Sequence, residues 1–142
     1  MAVALISLSV GWEIELTAQA DEWFMSLDAG DADRIAAAID RLERDGPKLG
    51  RPFVDSIKGS RHHNLKELRS TGGNLRALFA FDPRRHAVVL LGGDKTNDWR
   101  GWYERNIPVA DRIYDDHLRS LGGGREQWRT QRVGERSAGS ER

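Results

Sequence analysis

Arg69 and Arg76 flank Gly72-Gly73 in the stretch Leu65-Lys66-Glu67-Leu68-Arg69-Ser70-Thr71-Gly72-Gly73-Asn74-Leu75-Arg76-Ala77-Leu78-Phe79-Ala80-Phe81. Two glycines between two strand-like runs read as a two-residue primed turn, whose register sets Arg69 directly opposite Arg76. Like charges facing each other across a strand pair destabilise it. An anion such as a phosphate held between the two guanidiniums would offset that repulsion. The chemistry implied is phosphate recognition, and with it nucleic acid.

Further polar residues gather round this pair. Asp82-Pro83-Arg84-Arg85 forms a turn in which Pro83 fixes the first central dihedral, and Ala87-Val88-Val89-Leu90-Leu91 is apolar on both faces, as in a central strand. If that turn pairs Phe81 with His86, the third strand runs back so that Lys95 lies near the Gly72-Gly73 end. Three cations then meet at one end of the sheet. Glu67 shares a face with Arg69 and is diagonal to Arg76, where it could neutralise part of the charge or accept a proton. Lys66 points to the opposite face of a regular strand, so its part in the same site requires twist, a bulge or the strand edge. In the loop before the hairpin, Lys58 and Arg61 are candidates for backbone phosphate contacts. His62 and His63 are polar loop residues able to swing toward the site.

The elements that must position these groups are short. Trp12-Glu13-Ile14-Glu15-Leu16 alternates as a half-buried strand, and Thr17 can cap a helix carrying Ala20, Trp23, Phe24 and Leu27 at helical spacing. After Asp28-Ala29-Gly30-Asp31, Ile35, Ala38, Ile39 and Leu42 mark a second helix, stopped by Gly46-Pro47. Residues 48–63 are expected to be loop. After Gly92-Gly93-Asp94-Lys95-Thr96-Asn97, Asp98 can cap a helix bearing Trp99, Trp102, Tyr103 and Ile107, with Pro108 kinking or restarting it; Trp99, Trp102 and Tyr103 are expected as core anchors, with stacking on a base as the alternative. The fold class is α+β: a helix hairpin packed on a small, mainly antiparallel sheet with a C-terminal helix.

The formal net charge is zero, but residues 1–55 carry 5 basic and 11 acidic side chains and residues 56–105 carry 10 and 5, so the middle third is electropositive. Such asymmetry suits a polyanion-binding face. No cysteine is present, which removes disulfides and thiolate metal sites and fits a reducing, cytoplasmic setting. Met1–Val10 is mildly apolar without a basic segment and reads as a lead-in to the first strand, not as a signal or a membrane span. Residues 1–121 are expected as one domain. From Gly122-Gly123-Gly124 the composition turns polar and Arg-rich, marking 122–142 as a flexible tail in which Gln127–Val133 could form a short helix around Trp128.

The Glu-Leu-Arg stretch at 67–69, the arginine that opens the next strand at 76 and the Gly-Asp-Lys-Thr stretch at 93–96 resemble the HigB-like, phage Gp49-like branch of the RelE/ParE toxins over about residues 11–120. The resemblance implies the toxin of a type II toxin–antitoxin pair. It also implies cleavage of messenger RNA on the ribosome without a metal or other cofactor, and silencing by a helix-turn-helix antitoxin through which operator DNA would be reached. In such cleavage the ribose 2′-OH attacks the adjacent phosphate. Arg69, Arg76 and Lys95 would then stabilise the charge that develops, with Glu67 or a histidine taking the proton and Lys95 or Lys66 assisting the leaving group. Two alternatives share the fold: a ParE-like inhibitor of DNA gyrase, and an inactive module that only binds an antitoxin.

Overall fold

The computed structural model describes residues 11–133, with side chains described through residue 122. In chain order the elements are β1 (Ile14–Leu16), α1 (Ala18–Met25), α2 (Ala29–Asp45), a 3-10 turn (Gly46–Lys48), β2 (Val54–Ser56), β3 (Lys66–Arg69), β4 (Leu75–Phe81), β5 (Ala87–Asp94) and α3 (Trp99–Val133). The five strands form one sheet in the order β1-β5-β4-β3-β2, with β1 parallel to β5 and every other pair antiparallel. The expected α+β architecture is the one observed. Its internal contacts divide the chain into two compact units, Met1–Asp111 and Arg112–Arg142. The sheet, the helix pair and the first turns of α3 make up the first. The second holds the remainder of α3, where the Tyr114 ring stacks on His117 at 6.3 Å.

Local chemistry accounts for the helix boundaries. Thr17 Oγ1 accepts from the Ala20 amide at α1, and Asp28 Oδ1 accepts from the Asp31 amide at α2. Gly46 ends α2 at φ +59, a conformation that costs glycine nothing. Ala20 of α1 and Ile35, Ala38, Ile39 and Leu42 of α2 are buried with Ile14, Leu16, Leu68, Leu75, Ala77, Phe79 and Val89 in one core on one face of the sheet, and the half-buried Trp23, Phe24 and Leu27 pack against it.

Several expectations need correction. The stretch 48–63 is not all loop: Val54–Ser56 is an edge strand, too short and too polar for its alternation to stand out. β1 begins at Ile14 rather than Trp12, and α2 already includes Ala29 and Gly30. Phe81 pairs with Ala87, not His86, because the turn is closed by the Asp82 amide donating to the His86 carbonyl. An irregularity at Leu78/Phe79 then shifts the register by one more residue, so the Lys95 amide bonds the Asn74 carbonyl at 3.0 Å. Lys95 thus lies two residues nearer Arg76 along β4 than the simple register places it. α3 is unbroken at Pro108 and continues past Gly122 to Val133, which contains the short helix expected at 127–133. The remaining tail and the lead-in at residues 1–10 lie outside the described residues, as does the Trp128 side chain.

β5 is thin at Gly92-Gly93 for a packing reason. A Cβ on Gly92 would lie 2.3 Å from the Trp23 ring of α1, and one on Gly93 would lie 2.4 Å from Trp102 Nε1 of α3. The two glycines let an indole close on each side of the strand. We expect Gly92→Ala to destabilise the fold by about 1–3 kcal/mol through overpacking, read as a lower melting temperature.

Candidate active site

Arg69 pairs with Arg76 as expected, but the connection is residues 70–74 rather than a two-residue Gly72-Gly73 turn: the turn is centred on Thr71-Gly72, with Gly72 at φ +73. β4 continues the row to β5, so Arg69, Arg76 and Gly93 share one face. The next row on that face is Asp55, Glu67, Leu78 and Leu91. Two like-charge pairs therefore lie side by side, carboxylate facing carboxylate and guanidinium facing guanidinium. Each is relieved by the other.

Glu67 is the hub. It is only 3% exposed, and its Oε2 accepts from Arg69 Nε at 2.9 Å while Arg69 Nη2 also reaches Asp55 Oδ2 at 3.2 Å. On the other oxygen, Tyr103 donates its hydroxyl to Oε1 at 2.5 Å and Arg76 Nε approaches to 3.7 Å. Arg76 is itself anchored, with Nη1 donating to the carbonyls of Gly73 and Leu75 at 3.1 and 2.9 Å. Its buried Nε makes no hydrogen bond, and neither does the buried Oγ of Ser70. Both residues line an open basin of 510 Å³ bounded by the Gly72-Gly73 turn, Arg69 and Pro52.

Lys95 is held by its backbone and by the turn after β5, where the Thr96 amide and hydroxyl donate to Asp94 Oδ1 and Asn74 Nδ2 reaches Thr96 Oγ1 at 3.2 Å. Partial burial, and then the charge of Arg76, lowers its ammonium below the ordinary lysine value, Glu67 pulls it back up, and Arg69 adds to the decrease. Arg51 Nη2 also reaches Asp55 Oδ2 at 3.0 Å, so four cations (Arg51, Arg69, Arg76, Lys95) against two carboxylates (Glu67, Asp55) leave the cluster positive. That surplus suits an anionic phosphodiester. The repulsion between the arginines does not by itself require an external anion, because Glu67 and Asp55 already neutralise much of it.

Arg69, Arg76, Lys95 and Glu67 are thus brought together, and the other expected site residues are not. Lys66 pairs with Phe79 and lies on the face opposite Glu67. The loop of Lys58, Arg61, His62 and His63 is tied to α3 instead: Ser60 Oγ donates to Asp111 Oδ1 at 2.5 Å and the Arg61 amide to Oδ2 at 3.1 Å. Neither histidine is among the partners of Glu67, while Lys58 and Arg61 are exposed. Among the described residues no group of three or more His, Cys, Asp or Glu could hold a metal ion, and no helix is long and apolar enough to cross a membrane.

Two contributors escaped the sequence. Asp55 lies on the unrecognised edge strand, and nothing in its neighbourhood announces it. Tyr103 was expected in the core, yet it directs its hydroxyl to Glu67 while Trp102, one residue earlier, packs on Gly93. The helical turn supplies the signal: a residue 100° round from an inward tryptophan reaches the edge of the sheet.

The phage-derived Gp49-like family model matches residues 22–115. Two Mycobacterium tuberculosis (strain ATCC 25618 / H37Rv) proteins described as candidate toxins are similar. HigB3 is 49% identical over 77% of this chain and 96% of its own length, and HigB2 is 44% identical over 82% of this chain and 59% of its own. Among solved structures, the isolated E. coli RelE toxin matches with a TM-score of 0.49 at 8% identity, covering 68% of this chain and 98% of that one. The chain belongs to the Gp49-like family, as a HigB-like toxin of a toxin–antitoxin system. Membership implies a cognate antitoxin.

Burial first, then the hydrogen bond from Tyr103 to Glu67 and the carboxylate's charge, push the Tyr103 phenol up to about 12, with Arg76 pulling the other way. The folded state therefore favours the neutral phenol. Its contribution to stability is complete below the ordinary tyrosine value near 10 and is lost as pH rises from there through about 12. In a phenolate absorbance titration, Tyr103→Phe is expected to remove a transition at about 12. Glu67→Gln should bring that transition to lower pH; an unmoved midpoint would separate Tyr103 from the carboxylate.

Proposed function

We propose that this toxin is an endoribonuclease that cleaves messenger RNA on the ribosome without a metal, and that a helix-turn-helix antitoxin silences it. The observation that carries this reading is the convergence of Arg69, Arg76 and Lys95 round a buried carboxylate beside the basin at the hairpin tip, with Arg76 Nε left without a hydrogen-bond partner. Arg69 and Arg76 hold the scissile phosphate. Lys95, the least encumbered cation, stabilises the charge that grows on the phosphorane and on the leaving 5′-oxygen.

Glu67 acts as a positioning residue in this mechanism. Both of its oxygens are engaged and it is buried, so orienting Arg69, Arg76 and Tyr103 suits it better than accepting a proton from a ribose 2′-OH. Tyr103, kept neutral at physiological pH, cannot stand as a phenolate base, so the 2′-OH proton goes to solvent water in the open basin and the leaving 5′-oxygen takes its proton from the Lys95 ammonium. Lys58 and Arg61, exposed on the loop tied to Asp111, serve as contacts to the RNA backbone away from the scissile bond. Synthesis, action and inhibition all fall in the cytoplasm, where message, ribosome and antitoxin meet.

Lys95→Ala is expected to lower single-turnover cleavage on programmed ribosomes by about 10²- to 10³-fold, the usual loss on removing one preorganised charge-stabilising donor. Its melting temperature should match that of the unaltered toxin. On expression, mapping of 5′ ends should find discrete new ends within reading frames for the unaltered toxin and none for the variant. Intact messages accompanied by DNA damage would instead support gyrase inhibition.

A further inference from the structure

Trp99 is out of keeping with its neighbours on α3. Trp102 packs against Gly93 and is buried, whereas Trp99 is 56% exposed at the first position of the helix. The indole is nevertheless held. Tyr103 meets it edge-on at 6.4 Å, and Lys95 Nζ and the Arg100 guanidinium stand over it at 5.8 and 5.6 Å from the ring centroid. It forms one wall of a cleft of 290 Å³ lined also by Tyr103, Ile107 and Pro108, whose charged groups are Lys58 and Arg100 against the one carboxylate of Glu104, so that its rim is net cationic. The cleft and the active site share a residue: the Tyr103 ring lines the one while its hydroxyl bonds Glu67 in the other.

A flat aromatic wall, an apolar floor and a cationic rim are what an unpaired nucleobase on a phosphate chain requires. One turn of an α-helix with its side chains fills roughly 420 Å³, taking a diameter of 10 Å and a pitch of 5.4 Å, so a docked helix does not fit this space. We propose that Trp99 is the stacking platform for the base adjoining the scissile phosphate, an inference that rests on the RNA-cleaving reading of the neighbouring cluster. Lys95 then serves both places, with its ammonium between the phosphate and the indole. The platform holds the flanking nucleotide splayed, which keeps the 2′-OH, phosphorus and leaving oxygen in line. Stacking accepts any base to some degree, so the cleft contributes affinity and register, with larger bases favoured by their greater overlap.

The test is single-turnover cleavage at subsaturating toxin on ribosomes programmed with a message that carries either a natural base or an abasic site next to the cleaved bond. Trp99→Ala should slow cleavage of the natural message by about 5- to 150-fold, the range that loss of one base–aromatic stack produces. Trp99→Phe should recover most of the rate, and on the abasic message all three proteins should cleave alike. Equal rates for Trp99→Ala and the unaltered toxin on the natural message would overturn the platform, as would the same penalty on the abasic one. A Trp99→Ala variant that cleaves normally but binds antitoxin less tightly would give this surface to the antitoxin and overturn it too. Cleavage lost in Lys95→Ala but intact in Trp99→Ala removes the platform alone, whereas an unaltered toxin that cuts neither message removes the endoribonuclease reading and the platform with it.

Discussion

A carboxylate buried beneath two guanidiniums is the constraint on which the rest of this molecule is arranged. Glu67 is taken out of water, and a lone buried carboxylate would cost several kcal/mol, so every donor it meets has to be in place: Arg69 on one oxygen, Tyr103 on the other, Arg76 close by. These donors come from β3, β4 and α3. The charge therefore fastens the start of the long helix to the hairpin, and the same fastening aims the arginines. Fold and site are not separable here, because the group that neutralises the arginines internally is the group that fixes where they point.

Legibility from sequence followed the range of the interactions. The hairpin was readable because glycines between two strand-like runs mark a local reversal, and Arg69 opposite Arg76 followed even though the turn itself is centred on Thr71-Gly72. The helices were readable from periodicity and caps. The register of β5 was less so, since it depends on how Asp82 closes its turn and on an irregularity that no short window of residues encodes. Asp55 and Tyr103 were out of reach for the same reason. Each gains its meaning only from a partner brought up by tertiary structure, across an edge strand in one case and from a helix in the other.

The loop residues mark the opposite limit. His62 and His63 looked able to swing toward the phosphate, and Lys58 and Arg61 able to contact the RNA backbone; Ser60 and the Arg61 amide commit that segment to Asp111, a buried carboxylate two turns beyond Tyr103 on α3. One helix thus presents two interior carboxylate contacts, Tyr103 reaching out to Glu67 and Asp111 receiving the loop. Composition advertised the positive charge of this region correctly. Only the tethers decide which of those charges lie beside the hairpin and which are held near Asp111.

The paired glycines of β5 have a consequence for how such a protein can diverge. At residues 92 and 93 a single backbone ribbon separates Trp23 on one side from Trp102 on the other. Neither indole can be enlarged, moved inward or given a neighbour with a side chain unless its counterpart glycine or the opposing ring changes in concert. Sequence drift on the helix pair and drift on the face that carries Arg69 and Arg76 are therefore coupled through a shared spacer. Descendants that remodel the helix pair must do so around an immovable tryptophan.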